Sequence, residues 1–205
     1  MTQVFTSQPL PESIIRRIYG VTYRENPHIK LSGLSYLKVS YIDFEGKAQI
    51  GELICNKKLS KDILSIFKEL FEAGYRIEKI RLADEYGGDD DLIMADNNTS
   101  CFNYRTVAGT DIISLHALGR AVDINPLYNP YIVGGRIMPE NAQPYADRTK
   151  NFEHKIDKND ICYKIFTVHG WKWGGQWKDS KDYQHFYKPE HKATRLVKRI
   201  FRKRI

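Results

Sequence analysis

Long apolar runs are missing from this 205-residue chain. None approaches the ~18 to 20 residues that a helix needs to cross a bilayer, which excludes a membrane-spanning helix. Cysteine is scarce. Cys55, Cys101 and Cys162 are odd in number, far apart and never spaced C-x-x-C. That spacing argues against a zinc ribbon and against a disulfide-stapled scaffold, and leaves all three as small apolar core residues. Internal repeats and low-complexity stretches are absent. Met1 to Arg17 lacks a basic start followed by an apolar core, so the chain as written shows no secretory leader. A surplus of one charge sign is also missing from most of the chain. The formal net charge is +7, but Arg195, Lys198, Arg199, Arg202, Lys203 and Arg204 supply six of it. The remainder is near neutral, whereas a nucleic-acid-binding domain should carry its positive charge across a folded face. The tail has two readings: a solvated amphipathic helix end, or an attraction to an anionic polymer or surface.

What is present is an ordinary globular composition, 41% hydrophobic, 28% charged and 12% aromatic. That excludes a mostly disordered or fibrous chain. Pro11 to Tyr19 suggests a short helix with Ser13 as cap and Ile14, Ile15 and Ile18 on one stripe. Leu34 to Asp43 alternates as a strand, Phe44 to Lys47 reads as a turn, and Ala48 to Cys55 returns. Ser60 stands where an N-cap would open a helix over Lys61 to Ala73, with Gly74 as its C-cap. Tyr75 to Leu82 reads as a strand. Asp84 to Thr110 reads as a long polar loop, of the length that usually serves function. Asp160 to His169 predicts a helix ended by Gly170, and Tyr183 to Tyr187 a short strand. The class is α+β, helices on a small, largely antiparallel sheet. The domain division expected is an N-terminal extension over 1–30, a catalytic domain over 31–194 and a basic tail over 195–205.

Two of the six histidines stand near carboxylates in a chemically suggestive way. His116 precedes the flexible Gly119, and Ala121 to Ile124 reads as a buried strand interrupted by Asp123. A buried, unpaired aspartate is very costly, so a base or a cation must neutralise it. His116, folding back across the glycine, can share a cation with Asp123, and His185 is the best third ligand. Two histidines, one carboxylate and an open position form the pattern of a catalytic zinc site. Asp182, three residues before His185, would then be placed to act as a general base. The competing reading pairs Asp123 with Arg120 or Arg148 and leaves the histidines as core residues. His28, His154, His169 and His191 show no such partners. The Asp89 to Asp91 run lacks the alternating acids of a calcium loop and reads as a solvated turn.

The run Ser114-x-His116-x-x-Gly119-x-Ala121-x-Asp123, followed by Asp182-x-x-His185, resembles the VanY-like family of D-alanyl-D-alanine carboxypeptidases, zinc peptidases that include L-alanyl-D-glutamate endopeptidases. Phe102 to Arg105, Asp123 to Pro126 and Gly170 to Trp177 extend the likeness, which runs over roughly residues 80 to 187. The resemblance implies a small α+β domain of the hedgehog and D-Ala-D-Ala peptidase type, with an antiparallel sheet carrying the metal. It implies His116, Asp123 and His185 as ligands of one Zn2+ per chain, and Asp182 as general base. Arg105 would stabilise the oxyanion and steady the substrate carbonyl. Ser114 would lie near the substrate carboxylate. Trp171, Trp173 and Tyr183 are candidate walls of the cleft, or core packing.

The function so implied is hydrolysis of peptidoglycan stem peptides, first as a D-alanyl-D-alanine carboxypeptidase. The alternatives are an L-alanyl-D-glutamate endopeptidase and a non-catalytic zinc-stabilised cell-wall binding module. The expected partner is a peptidoglycan peptide and not nucleic acid, with a weak contact of the basic tail to anionic wall polymers. The expected location is the cell envelope or exterior if a leader precedes the chain, and the cytoplasm until lysis if none does.

Overall fold

The alternating stretch after Lys30 and its return across Phe44 to Lys47 build the largest sheet. The computed structural model describes residues 2–107 and 109–189, so the basic tail and His191 lie outside the described residues. Strands β2 (Leu34–Ile42) and β3 (Ala48–Asn56) pair antiparallel along their whole length, and β1 (Phe5–Gln8) adds to the other edge of β2. Period-two alternation gives this sheet two buried faces. Leu37 and Val39 face helix α2 (Ser60–Glu72), which buries Ile63, Ile66, Phe67 and Leu70. Leu34 and Tyr36 face Ile14 and Ile18 of helix α1 (Glu12–Ile18) together with Tyr23 and Ile29. The division drawn at residue 30 therefore runs through shared packing.

The sequence-predicted boundaries shift where local hydrogen bonding outcompetes propensity. Ser60 does not cap α2. A 3₁₀ turn over Lys57–Leu59 runs straight into the helix, and Asn56 Oδ1 caps that turn by accepting from the Lys58 amide at 3.1 Å. Ser60 lies inside the helix and donates to the Lys57 carbonyl at 3.0 Å. Ser13 is likewise inside α1, which starts after Pro11 without a side-chain cap. Gly74 does close α2, with φ +70° and the Tyr75 amide bonded to the Leu70 carbonyl at 2.9 Å.

The expected strand over 75–82 shrinks to β4 (Lys79–Ile80), paired in parallel with β5 (Asn98–Thr99). The long polar stretch is not a plain loop. It contains helix α3 (Asp90–Ala95), and Asp89 is its cap, accepting from the Asp91 and Leu92 amides at 2.9 and 3.2 Å. The aspartate run is thus a helix start rather than a solvated turn, as the first-turn preference for acids allows.

Strands β6 (Ala121–Asp123), β11 (His185–Tyr187) and β9 (Lys172–Trp173) make a second antiparallel sheet in the order β6-β11-β9. Val122 and Phe186 point from it into the core, where Phe186 stacks on Phe166 of helix α4 (Ile161–Val168) with ring centroids 4.2 Å apart. A third sheet places β10 (Ser180–Asp182) beside the hairpin β7 (Tyr131–Val133) and β8 (Arg136–Met138). The strand expected over 183–187 is therefore shortened to β11, and Asp182 lies in a different sheet from His185. The architecture is mixed α and β with small antiparallel sheets, as the α+β class expects.

Candidate metal centre

Opposite pairing across β6 and β11 sets Asp123 directly against His185. Residues opposite each other in an antiparallel pair project to one face, so the step that sends Val122 and Phe186 inward sends Asp123 and His185 together to the other side. His116 joins them from a 3₁₀ turn, His116–Leu118. Gly119 makes the return possible. It holds φ +61°, and an added Cβ would stand 2.4 Å from the Asn56 backbone nitrogen. The Arg120 amide then bonds to the Leu115 carbonyl at 3.0 Å, and the chain enters β6.

The three side chains converge. His116 Nε2 lies 3.1 Å from Asp123 Oδ2 and 3.1 Å from His185 Nδ1, and His185 Nδ1 lies 3.0 Å from Asp123 Oδ1. His116 Nδ1 is 2.6 Å from the Cys101 carbonyl, which can only accept, so that ring nitrogen carries the proton and Nε2 presents a lone pair. Three potential ligand atoms thus crowd one point, a disposition that a shared proton or a cation would stabilise. The donor set of two imidazole nitrogens and a carboxylate fits zinc. Tetrahedral bonds of ~2.0 to 2.1 Å would set the ligand atoms ~3.3 Å apart, close to the spacing seen. Burial opposes the charge on Asp123, but His116 and His185 outweigh it and hold the carboxyl well below the usual range. Burial likewise opposes charge on His116, and Asp123 outweighs it and raises that imidazole. Neither candidate arginine pairs with Asp123: Arg120 donates to the Lys188 carbonyl and Arg148 to other loops.

Asp182 ends β10, paired with Tyr131, and its Oδ1 is buried without a hydrogen-bond partner. Burial pushes its carboxyl up to about 7, with Asp123 adding to the rise and His185 and Arg105 opposing it. The group is therefore electrostatically part of the cluster. Gly174 makes room for it: an added Cβ would meet the Asp182 carbonyl oxygen at 2.7 Å and the His185 Cβ at 3.3 Å.

Arg105 and Ser114 face each other at the neck of a small hairpin, joined by the Ser114 amide and the Arg105 carbonyl at 3.1 Å. Arg105 forms an ion pair with Asp90 at the start of α3, and Asn103 Nδ2 holds the other carboxylate oxygen at 2.9 Å. Asp96, nine residues before Arg105, is engaged elsewhere, with Lys79 at 2.8 Å and the Tyr86 hydroxyl at 2.6 Å. Ser114 Oγ accepts from the His116 amide at 3.2 Å and so braces the turn that carries His116.

Trp171 and Trp173, read as cleft walls or core packing, are 2% and 4% exposed and belong to the core. The half-buried Trp177 instead lies against the His185 ring, centroids 5.3 Å apart. Its position after Gly174-Gly175 could have flagged it. His169 is not partnerless: its ring nitrogens meet Asp62 at 2.9 Å and Glu69 at 2.7 Å, both on α2. Nothing in local sequence connects residues a hundred positions apart.

A family model described as D-alanyl-D-alanine carboxypeptidase matches residues 108–188. The match bears out the resemblance read from the motifs. It spans Ser114, His116, Asp123, Asp182 and His185 and leaves Arg105 outside. No curated protein and no solved structure matches the chain.

Proposed function

We propose that this chain is a zinc-dependent peptidase that hydrolyses peptidoglycan stem peptides, acting as a D-alanyl-D-alanine carboxypeptidase. The observation that carries the reading is the convergence of His116 Nε2, Asp123 and His185 Nδ1 within hydrogen-bonding distance of one another. These three residues would hold the metal. When bound, zinc supplies a Lewis acid and lowers the pKa of a coordinated water towards ~7.

The chain's own residues would do the rest. Asp182, with one oxygen unpartnered and a carboxyl poised near neutrality, takes a proton from the attacking water and returns it to the leaving amine. Arg105 offers a guanidinium that stays charged at any working pH and stabilises negative charge on the substrate carbonyl oxygen. Ser114 orients the substrate's carboxylate end beside the turn it already braces. Asp182 also speaks against a purely structural zinc module, because a structural site needs no base and is normally closed by a fourth protein ligand. The substrate lies outside the cytoplasm, so the enzyme would act at the envelope or after lysis. Among the described residues no helix is long and apolar enough to cross a membrane.

The deciding experiment incubates the protein with defined muropeptides, with and without a chelator, and reads the products by mass spectrometry. Loss of one terminal alanine, abolished by the chelator and restored by zinc, is the expected result. An internal cut between L-alanine and D-glutamate would move the assignment to the endopeptidase. No product from metal-loaded protein would overturn the enzyme reading.

A further inference from the structure

Arg148 carries a half-buried charge on which Asp157 acts only from beyond contact distance. Among the described residues no carboxylate lies within ion-pair distance of its guanidinium. Its partners are neutral oxygens. Nη1 donates to the Tyr128 carbonyl at 2.9 Å and the Tyr145 carbonyl at 3.4 Å. Nη2 donates to the Ile156 carbonyl at 2.8 Å and Asn129 Oδ1 at 3.2 Å. Nε is buried without a partner. The face of the group lies on the Tyr183 ring, 4.3 Å from its centroid, with Phe152 at 5.1 Å. Burial lowers the guanidinium pKa to about 10, so it remains charged at neutral pH.

A desolvated cation is expensive to keep, and both terminal nitrogens are spent on oxygens of the chain itself. Its contacts instead converge on one short stretch of chain. Tyr183 follows Asp182 directly. The Tyr183 amide donates to the Pro130 carbonyl at 3.2 Å, and Asp182 pairs with Tyr131. Pro130 and Tyr131 continue the turn that Arg148 grips at Tyr128 and Asn129. One guanidinium therefore holds both the turn that receives Asp182 and Tyr183 and the ring of Tyr183 itself.

We propose that Arg148 is a positioning residue for Asp182, fixing the carboxyl against the His116, Asp123 and His185 cluster through the Tyr128–Tyr131 turn and the Tyr183 ring. The proposal rests on the assignment of Asp182 to proton transfer. Lysine can supply neither the fork of donors nor the flat face. Misplacement of a reacting group by about 1 Å costs on the order of 10²-fold. Arg148→Lys should lower kcat roughly 10- to 100-fold, with KM and zinc content unchanged.

The test is a masking experiment on zinc-loaded full-length protein, with kcat, KM, zinc content and melting temperature read on each variant. In the Asp182→Asn background, adding Arg148→Lys should cause no further loss. Tyr183→Leu removes the ring but leaves the four hydrogen bonds of Arg148. It should lower kcat and be masked in the same way, and Tyr183→Phe should recover most of that loss. Tyr183→Leu also serves if Arg148→Lys does not fold. Equal fold-losses with and without Asp182 would overturn the proposal, as would losses that only follow the unfolded fraction. Wild-type turnover in Asp182→Asn alone would instead overturn the assignment of Asp182, and the proposal with it.

Discussion

A single methyl group at Gly174 should disable the site while the fold survives. The Cβ of Gly174→Ala would stand 2.7 Å from the Asp182 carbonyl oxygen, 2.8 Å from the Asp182 Cβ and 3.3 Å from the His185 Cβ. Comfortable contact between such atoms lies near 3.5 to 4.0 Å, so Asp182 at the end of β10 must back away by about 0.7 to 1.3 Å and His185 by about 0.2 to 0.7 Å. Overpacking of this kind costs about 1 to 3 kcal/mol. In a chain of this size that is a fall in melting temperature of very roughly 2 to 12 °C. The displacement falls on the residue assigned to proton transfer and on a metal ligand, where 1 Å costs on the order of 10²-fold in rate. The assay is kcat on a peptide ending in D-alanyl-D-alanine, with zinc content and melting temperature on the same preparation. Gly33→Ala is the control, because its Cβ meets nothing closer than Ile29 at 3.4 Å. A Gly174→Ala protein with kcat within about twofold of wild type and an unchanged melting temperature would refute the argument.

His116→Ala and Asp123→Ala should each lose zinc and turnover together, which elemental analysis and the peptide assay decide. Asp182→Asn should keep its zinc and lose ~10²- to 10⁴-fold in kcat; an emptied metal site would show that its role is ligation. Arg105→Ala should cost ~10²- to 10³-fold in kcat with zinc retained, and Arg105→Lys less. A lowered melting temperature with unchanged kcat would mean that Arg105 serves only its ion pair with Asp90. His169 should make stability depend on pH. Burial opposes its charge, but the bonds to Glu69 and Asp62 outweigh that and raise its folded pKa. A raised value stabilises fully below the unfolded pKa near ~6.5 and loses that contribution as pH rises through the folded value. Denaturation midpoints at pH ~6 and ~8.5 should therefore differ more for wild type than for His169→Phe, and an equal difference would remove His169 from the account.

Part of the His116, Asp123 and His185 cluster was legible because two of its members give a local signal. His116 and Asp123 lie on either side of one glycine turn, and Asp123 sits as a lone charge in an apolar strand. The helices α2 and α4 were legible from apolar periodicity and a closing glycine. The setting of the cluster was not, because it depends on pairings between distant segments. Asp62 with His169, Asp90 with Arg105 and Arg148 with Tyr183 are each joined by tertiary packing alone. Asp182 read as the residue just ahead of a strand over Tyr183 to Tyr187, because three residues of separation look local in sequence. The structure turns between Asp182 and His185 so that one joins β7 and the other β6.

Buried asparagines explain why so little regular structure surrounds the site. Around β4 to β7 the strands are two or three residues long, too short for their ladders to fix the loops. Side-chain amides complete the hydrogen bonding instead. Asn98 bonds both the amide and the carbonyl of Arg81, at 2.8 and 3.0 Å. Asn125 accepts from the Glu78 amide at 3.2 Å and donates to the Arg76 carbonyl at 2.9 Å. Asn97 accepts from the Leu127 amide at 3.0 Å. Asn129 joins the Asn125 and His154 carbonyls, at 3.0 and 2.9 Å, to the Ile156 amide at 2.7 Å. An amide carries both donor and acceptor, so it can stand in for a missing strand neighbour. In sequence the same asparagines register as loop formers, since their side chains compete with helix and sheet. Composition thus marks the region as irregular, whereas breaking any one of these buried bonds would leave a polar group unsatisfied at a cost of about 1 to 3 kcal/mol. The segments around Asp123 and Tyr131, which pairs with Asp182, are held in place by these side chains as much as by their short strands.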